Sequence, residues 1–356
     1  MTFQKPDKWV ITKNKIHKGG STMKSLKIAL FCVLLLSFIT LIATDVALAQ
    51  KKPIVIKVGH VVPRGFLYDA GLQKFREIVE QETKGEITVQ IFPQAQLGSE
   101  RELIEGVQVG TIPMAVINSA PCTGFIPEIG VFSLPYLFPN REMAFRVLDG
   151  PIGRNVMDKF ERIGIKAFGL WDGGKRGLIT KATPIKVPDD LKGRKVRCME
   201  DPVMLSTFKA CGGIPTPIPW GEVYTSLQQG TVDVVETCIQ MMELNRFPEV
   251  GKFVSFTDHY WTPAPHIVNL KFFNSLPKDY QKIITRASEV GMDVCRRDIM
   301  PGGAHADDQC LKNMAKQGVT IVPVDYDIWR KKLLPTYKYF YKQFGKDLID
   351  KIMVAK

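Results

Sequence analysis

The chain has 356 residues, 45% hydrophobic and 24% charged, with a formal charge of +12 at pH 7. That length points to more than one lobe, since single hydrophobic cores stop growing at about 250–300 residues, and the lack of low-complexity tracts excludes a mainly disordered chain. Residues 1–49 hold seven Lys and two Asp, which leaves +7 scattered over the rest with no block of five or six basic residues. No nucleic-acid partner is expected, because a basic stripe with aromatic interleaving is missing.

In chain order, the first feature is an export leader. Lys24 and Lys27 precede the apolar run Ile28–Ala43, broken only by Ser37 and Thr40, and Ala47-Leu48-Ala49 follows. Basic, apolar and small segments in that order are a secretory signal. The run is too short for a membrane span of about 20 residues. The reading is a signal peptide over 1–49, started at Met23, cleaved after Ala49, and a periplasmic mature protein. Export permits disulfides. Six cysteines remain (Cys122, Cys198, Cys211, Cys238, Cys295 and Cys310), and either pairing or burial as free thiols fits them.

Ile54–Gly59 reads as a buried strand and Pro63-Arg64-Gly65 as a turn. Leu72, Phe75, Ile78 and Val79 mark one face of a helix that Lys84-Gly85 ends. Ile87, Val89 and Ile91 alternate as a strand does. Ser99 is positioned to cap a helix carrying Leu103, Ile104 and Val107. This β-α-β-α order predicts an α/β sheet with helical crossovers. A short echo then links two distant segments. Val-Gln-Val-Gly-Thr-Ile-Pro-Met-Ala-Val at 107–116 parallels Leu-Gln-Gln-Gly-Thr-Val-Asp-Val-Val-Glu at 227–236. Both predict a helix closed by Gly, then a short strand. Ligands in open α/β sheets bind beyond the carboxyl ends of strands, so Asn118 and Thr237, just past the two copies, are cleft candidates from opposite lobes.

Lys195–Cys198 reads as a strand after the turn 188–193. Residues 276–317 read as mostly helical, interrupted at Pro301-Gly302-Gly303. Trp329, Leu333, Tyr337, Phe340, Tyr341 and Phe344 keep helical spacing, a stripe expected to pack on the body. The chain lacks GxSxG, HExxH, GxxxxGK[ST] and a strand-linked GxGxxG. Its histidines lack metal-ligand spacing and no CxxC occurs. No cofactor, metal or catalytic residue is expected, and the protein is read as a non-enzyme.

Four segments resemble one family in the same order. They are Gln96–Leu103 (QLGSEREL), Phe132–Phe138 (FSLPYLF), Leu191–Arg197 (LKGRKVR) and Pro219–Asp233 (PWGEVYTSLQQGTVD). The chain is similar over about 54–345 to the DctP-type solute-binding proteins of TRAP (tripartite ATP-independent periplasmic) transporters. The resemblance implies a two-lobed periplasmic-binding-protein-like type II α/β fold, with mixed sheets flanked by helices, a ligand cleft between the lobes and long C-terminal helices. It implies a first lobe from 50–174, a second from 175–263, and a return through 264–356. The chain would cross between lobes near Gly173-Gly174 and Pro263–Pro265.

By the same resemblance, a small carboxylate-containing organic acid is captured and handed to the small and large membrane subunits of an ion-driven transporter by a monomeric protein. Arg197 matches the arginine that grips the carboxylate, a planar fork suited to bidentate contact. Arg176 matches a second arginine that either contacts ligand or braces the cleft. Trp220 matches an aromatic that packs on the ligand, and Asn118 a polar position of the first lobe. This chain departs from the family at Thr237, where many relatives have Asn. It departs again at Glu200, where sialic-acid binders have Asn, and at Val61, where they have a polar residue. Glu200 is expected to hydrogen-bond a ligand hydroxyl or amine. These departures argue against sialic acid and favour a smaller, partly hydroxylated monocarboxylate. A C4-dicarboxylate, a ligand-sensing receptor role and a secreted enzyme using Cys198 or Cys211 are the alternatives.

Overall fold

Short alternating and apolar runs become strands wherever a helix can cover them. A computed structural model describes residue 31, residues 52–297 and residues 306–354. The leader cleaved after Ala49, its start at Met23 and the Pro301–Gly303 break lie outside the described residues, Phe31 apart. Residues 53–356 form one compact unit.

Ten strands are present among the described residues. β1 (Ile54–Gly59) pairs in parallel with β2 (Ile87–Phe92) and β3 (Met114–Val116). β4 (Ile165–Thr180) is the long element. Its first part runs antiparallel to β9 (Trp261–Asn269), which also borders β3. Its last five residues, Arg176–Thr180, run antiparallel to β7 (Val234–Cys238). β7 adjoins β5 (Lys195–Cys198), which adjoins β6 (Ile214–Pro217), both in parallel. β8 (Phe253–Ser255) pairs with β4 and with β10 (Thr320–Val322). β4 therefore belongs to both lobes, and a bulge between Asp172 and Lys175 marks its passage from one to the other.

The central strands β7 and β9 are covered on both faces, and both are wholly buried. One core, with Ile56, Val58, Phe75, Trp171 and Ile267, surrounds the first sheet. The second sheet has two. Leu178, Val196 and Val234 face one, and their neighbours Ile179 and Val235 face the other, as a period of two requires.

The two echo segments match in structure. The helix Glu100–Val109 ends at Gly110 (φ 86°) before β3, and the helix Trp220–Gln229 ends at Gly230 (φ 77°) before β7. Left-handed φ at the residue closing a helix is the position glycine fills without strain. All six described cysteines are buried and free.

The stretch expected to return to the first lobe is divided. The helix Lys278–Arg296 packs on the first core through Ile284, Ala287 and Cys295. The helices Ala306–Lys316 and Tyr326–Leu333 fill the second lobe through Met314, Trp329 and Leu333. The aromatic stripe is broken by Pro335 into an α-helix, a 3-10 stretch (Leu334–Phe340) and a short helix (Tyr341–Phe344). A proline in the helix interior removes a backbone donor and clashes with the preceding turn. The stripe still packs as expected: Tyr337, Phe340 and Phe344 reach back to the first core.

Candidate functional site

The carboxyl ends of β3, β5 and β7 converge between the lobes on a small cavity. Arg176, Arg197, Trp220, Asn118 and Thr237 all line it, together with Val61, Tyr68, Glu100 and Met199. Five of the six predicted residues are thus brought together from positions 118 to 237. The cavity measures about 30 Å³ and adjoins a mouth of about 150 Å³ bounded by Ser99, Arg101, Pro121, Glu200 and Pro217–Trp220.

Glu200 does not share the inner cavity. β5 ends at Cys198, and Asp201 caps the next helix by accepting the Val203 and Met204 amides at 2.7 and 3.1 Å. Its other oxygen takes the Ser133 hydroxyl at 2.7 Å. That turn buries Met199 and Asp201 and sends Glu200 outward, its side chain 68% exposed and 3.7 Å from Arg101 of the other lobe. The family position suggested that Glu200 shares the site, but the strand ends at Cys198 and the chain turns before Glu200.

The two arginines differ sharply. Arg176, at the start of the second-lobe part of β4, is held bidentately by Glu236 through Nε and Nη2. Both side chains are buried. Burial would lower the Arg176 pKa, but Glu236 more than offsets it and the guanidinium stays firmly charged. Behind them, His259 Nε2 is 3.9 Å from Glu236, and its Nδ1 shares a hydrogen with Thr257 at 2.6 Å. Burial, opposed only in part by Glu236, pushes His259 down to about 4 and keeps it neutral.

Arg197 is equally buried yet has only neutral partners. Nε and Nη2 donate to Ile218 O at 3.1 and 2.9 Å, and Nη1 donates to Glu236 O at 3.1 Å. Its guanidinium lies 5.4 Å from the centre of the Trp220 ring. No carboxylate pairs with it among the described residues. Burial, opposed by Glu236 but reinforced by the Arg176 cation, pushes its pKa down to about 10. Of five guanidinium N–H bonds three are used, so one remains on each terminal nitrogen. That pair is the end-on fork that a carboxylate accepts.

Asn118 caps a short helix by accepting the Ala120 amide at 3.2 Å and donates to Thr262 at 3.1 Å. Its backbone N–H donates to Glu100 at 2.7 Å. Glu100 opens a helix that Ser99 and Glu102 close with a capping box. Burial raises the Glu100 carboxyl despite Asn118, Arg197 and Arg176. Tyr68, Glu100 and Glu236 are site residues that the sequence reading missed. Glu236 had a signal, a lone carboxylate inside an apolar buried strand, which requires a partner.

Size alone does not select this site. Cavities of about 260 and 310 Å³ lie along β4 at Lys175 and Trp261. Their charges are matched within the protein, with Lys175 2.9 Å from Asp258 and Arg141 bonded to Asp172.

The chain matches the family described as "Bacterial extracellular solute-binding protein, family 7", DctP, over residues 58–343. It belongs to the DctP family. A "Solute-binding protein" of Verminephrobacter eiseniae is 35% identical over 289 residues, 80% of this chain and 84% of that protein. Among solved structures, a TRAP periplasmic solute-binding protein from Polaromonas sp. JS666, bound to D-erythronate, superposes with a TM-score of 0.81 at 32% identity. It covers 85% of this chain and 99% of its own. A TRAP protein from Sulfurospirillum deleyianum with bound succinate also reaches 0.81, at 29% identity, over 86% and 100% of the two chains. The two-lobed DctP fold is therefore the one this chain adopts.

Proposed function

We propose that this DctP-family protein captures a small hydroxylated monocarboxylate between its lobes and delivers it, as a monomer in the periplasm, to the small and large subunits of a TRAP transporter. The carrying observation is Arg197, a buried cation with an open N–H on each terminal nitrogen and no carboxylate partner among the described residues. Taking a buried cation out of water is costly, and an incoming carboxylate supplies the missing charge. The relative with bound D-erythronate supports the ligand class, and the leader at 24–49 supports export.

Charge favours one carboxylate over two. Arg176 is paired with Glu236, which leaves Arg197 as the cation of the cavity with only carbonyl partners among the described residues. A second carboxylate would lie beside Glu100 or Glu200, and like charges in one site repel. The inner cavity fits little beyond the acid head, so the rest of the ligand extends towards the mouth, past Trp220 and Glu100. The cysteines offer no nucleophile, since burial pushes Cys198 and Cys211 up to about 12.

The test is twofold. Mass spectrometry of small molecules released from the purified, unfolded protein should find a hydroxy acid. Thermal unfolding should shift upward with D-erythronate and less with succinate. A protein that releases no acid and is stabilised by neither compound overturns the reading, and a larger shift with succinate overturns the preference for one carboxylate.

A further inference from the structure

The cavity holds a carboxylate where an anionic ligand must go. Glu100 lines both the inner cavity and the mouth, and its Oε1 accepts the Asn118 N–H at 2.7 Å. It is the first residue of its helix, and its side chain lines the cleft, while Arg101 borders the mouth and Glu102 and Glu105 are exposed. With Glu100 ionised, the cavity contains two cations, Arg176 and Arg197, and two anions, Glu236 and Glu100. A ligand carboxylate on Arg197 would then add a third anion to a confined space.

We propose that Glu100 takes up a proton when the acid binds, so that the site captures the ligand anion and a proton together. The claim rests on the binding function proposed above and specifies its chemistry. The step is simple: a solvent proton adds to the Glu100 carboxylate, one O–H bond forms, and no electron changes owner. Two carboxylates sharing a site cannot both stay ionised cheaply. Glu100 is the one able to yield, because Glu236 is fixed by two hydrogen bonds to Arg176 and the ligand is fixed by Arg197. Once protonated, Glu100 becomes a donor as well as an acceptor and can bond a ligand hydroxyl or carboxylate oxygen.

The other carboxyl beside the cleft that burial raises is Asp201, pushed up to about 6, and its oxygens are already taken by the Ser133 hydroxyl and the Val203 and Met204 amides. Tyr68, from the helix Leu67–Glu82, and Cys122 both face Glu100, and burial holds both in their neutral forms. Arg176 and Arg197 face it from β4 and β5, and Glu236 stands behind Arg176 on β7. At the mouth, Glu200 is exposed and 3.7 Å from Arg101, which shields it. Burial raises the Glu100 carboxyl above its ordinary value, the direction that uptake requires. The sign follows. A bound anion raises the Glu100 pKa further, so affinity falls as pH rises from the pKa of the open site to that of the filled one. A dicarboxylate would demand a second proton with no group placed to hold it.

Calorimetry tests this with the full mature protein and D-erythronate, with succinate as a second probe. Titrations at one pH in phosphate and in Tris, buffers of different ionisation heat, count the protons exchanged. Uptake of up to one proton is expected, with affinity falling as pH rises, by at most about ten-fold per pH unit. Glu100→Gln, which preserves shape and the bond from Asn118, should abolish the uptake and flatten the profile. Glu105→Gln, on the exposed face of the same helix, should retain both. Binding by the wild-type protein with no proton uptake overturns the proposal while leaving the binding function standing, as does unchanged uptake in Glu100→Gln. Absence of binding by either acid strikes the function itself, and the proposal with it.

Discussion

Arg176 and Arg197 lie on strands separated only by β7, and both are buried, yet one carries a partner and the other awaits one. The resemblance left Arg176 as either a ligand contact or a brace; its pairing with Glu236 favours the brace, and the function proposed above makes Arg197 the grip. Replacing Arg197 with Lys keeps a positive charge but removes the planar fork. Affinity for the bound acid should fall by at least about ten-fold, equivalent to about 1.4 kcal/mol, in isothermal titration. An unchanged affinity would remove Arg197 from the site. A second residue-level consequence concerns His266, buried among Phe75, Phe168 and Trp171 with its Nδ1 2.7 Å from Ser288. Burial pushes it down to about 3. Between that value and 6.5 the unfolded chain binds a proton that the native state refuses, so stability declines as pH falls through this window. Between pH 7 and 5, the wild-type protein should lose about 2 kcal/mol more than His266→Asn in urea unfolding. Equal losses would show that the ring is not held neutral. The sequence could not reveal either environment, since burial and pairing arise from residues 21 to 60 positions away for the arginines and, for His266, from as far as Phe75.

At the scale of elements, β4 is where function meets fold. The bulge at Gly173-Gly174 interrupts its pairing with β9, which resumes at Lys175 just before the pairing with β7 begins at Arg176. Gly174 has φ 82°, and a Cβ there would lie 3.0 Å from the Cys238 Cβ. Gly174→Ala should lower stability by about 1–2 kcal/mol, the cost of left-handed backbone in an L-residue, and should reduce the ligand-induced fall in radius of gyration measured by solution scattering. Gly193→Ala (φ 73°, with open space around its Cβ) carries the same backbone cost and should leave the change in radius intact. If both variants behave alike, the bulge is not the pivot. Elements of this kind were largely legible. Ile54–Gly59, Lys195–Cys198, the Ser99 cap and the closures at Gly110 and Gly230 follow from local pattern and cap chemistry. The C-terminal stripe was legible as a packing surface but not as three pieces, because Pro335 interrupts a helical period that the aromatic spacing continues through.

Across the whole molecule, the cleft depends on two lobes whose sheets share β4 and whose cavity-lining residues come from both sides of it. The family motifs mapped Arg197, Arg176, Trp220, Asn118 and Thr237 to one place, because motif order encodes topology. Glu200 escaped, since which way a residue turns after a strand ends is set by the Asp201 cap and not by spacing. The six described cysteines have a consequence at this scale as well. Each is buried, unpaired and, at Cys198, Cys211 and Cys238, pushed up to about 12 by burial. Such thiols are chemically quiet, so no covalent staple restrains either lobe, and reductant has nothing to cut. A single cysteine introduced on the surface of each lobe would be readily alkylated against a silent background. The molecule is thus prepared, without deletion of any native residue, for paired spectroscopic labels that report the distance between its lobes.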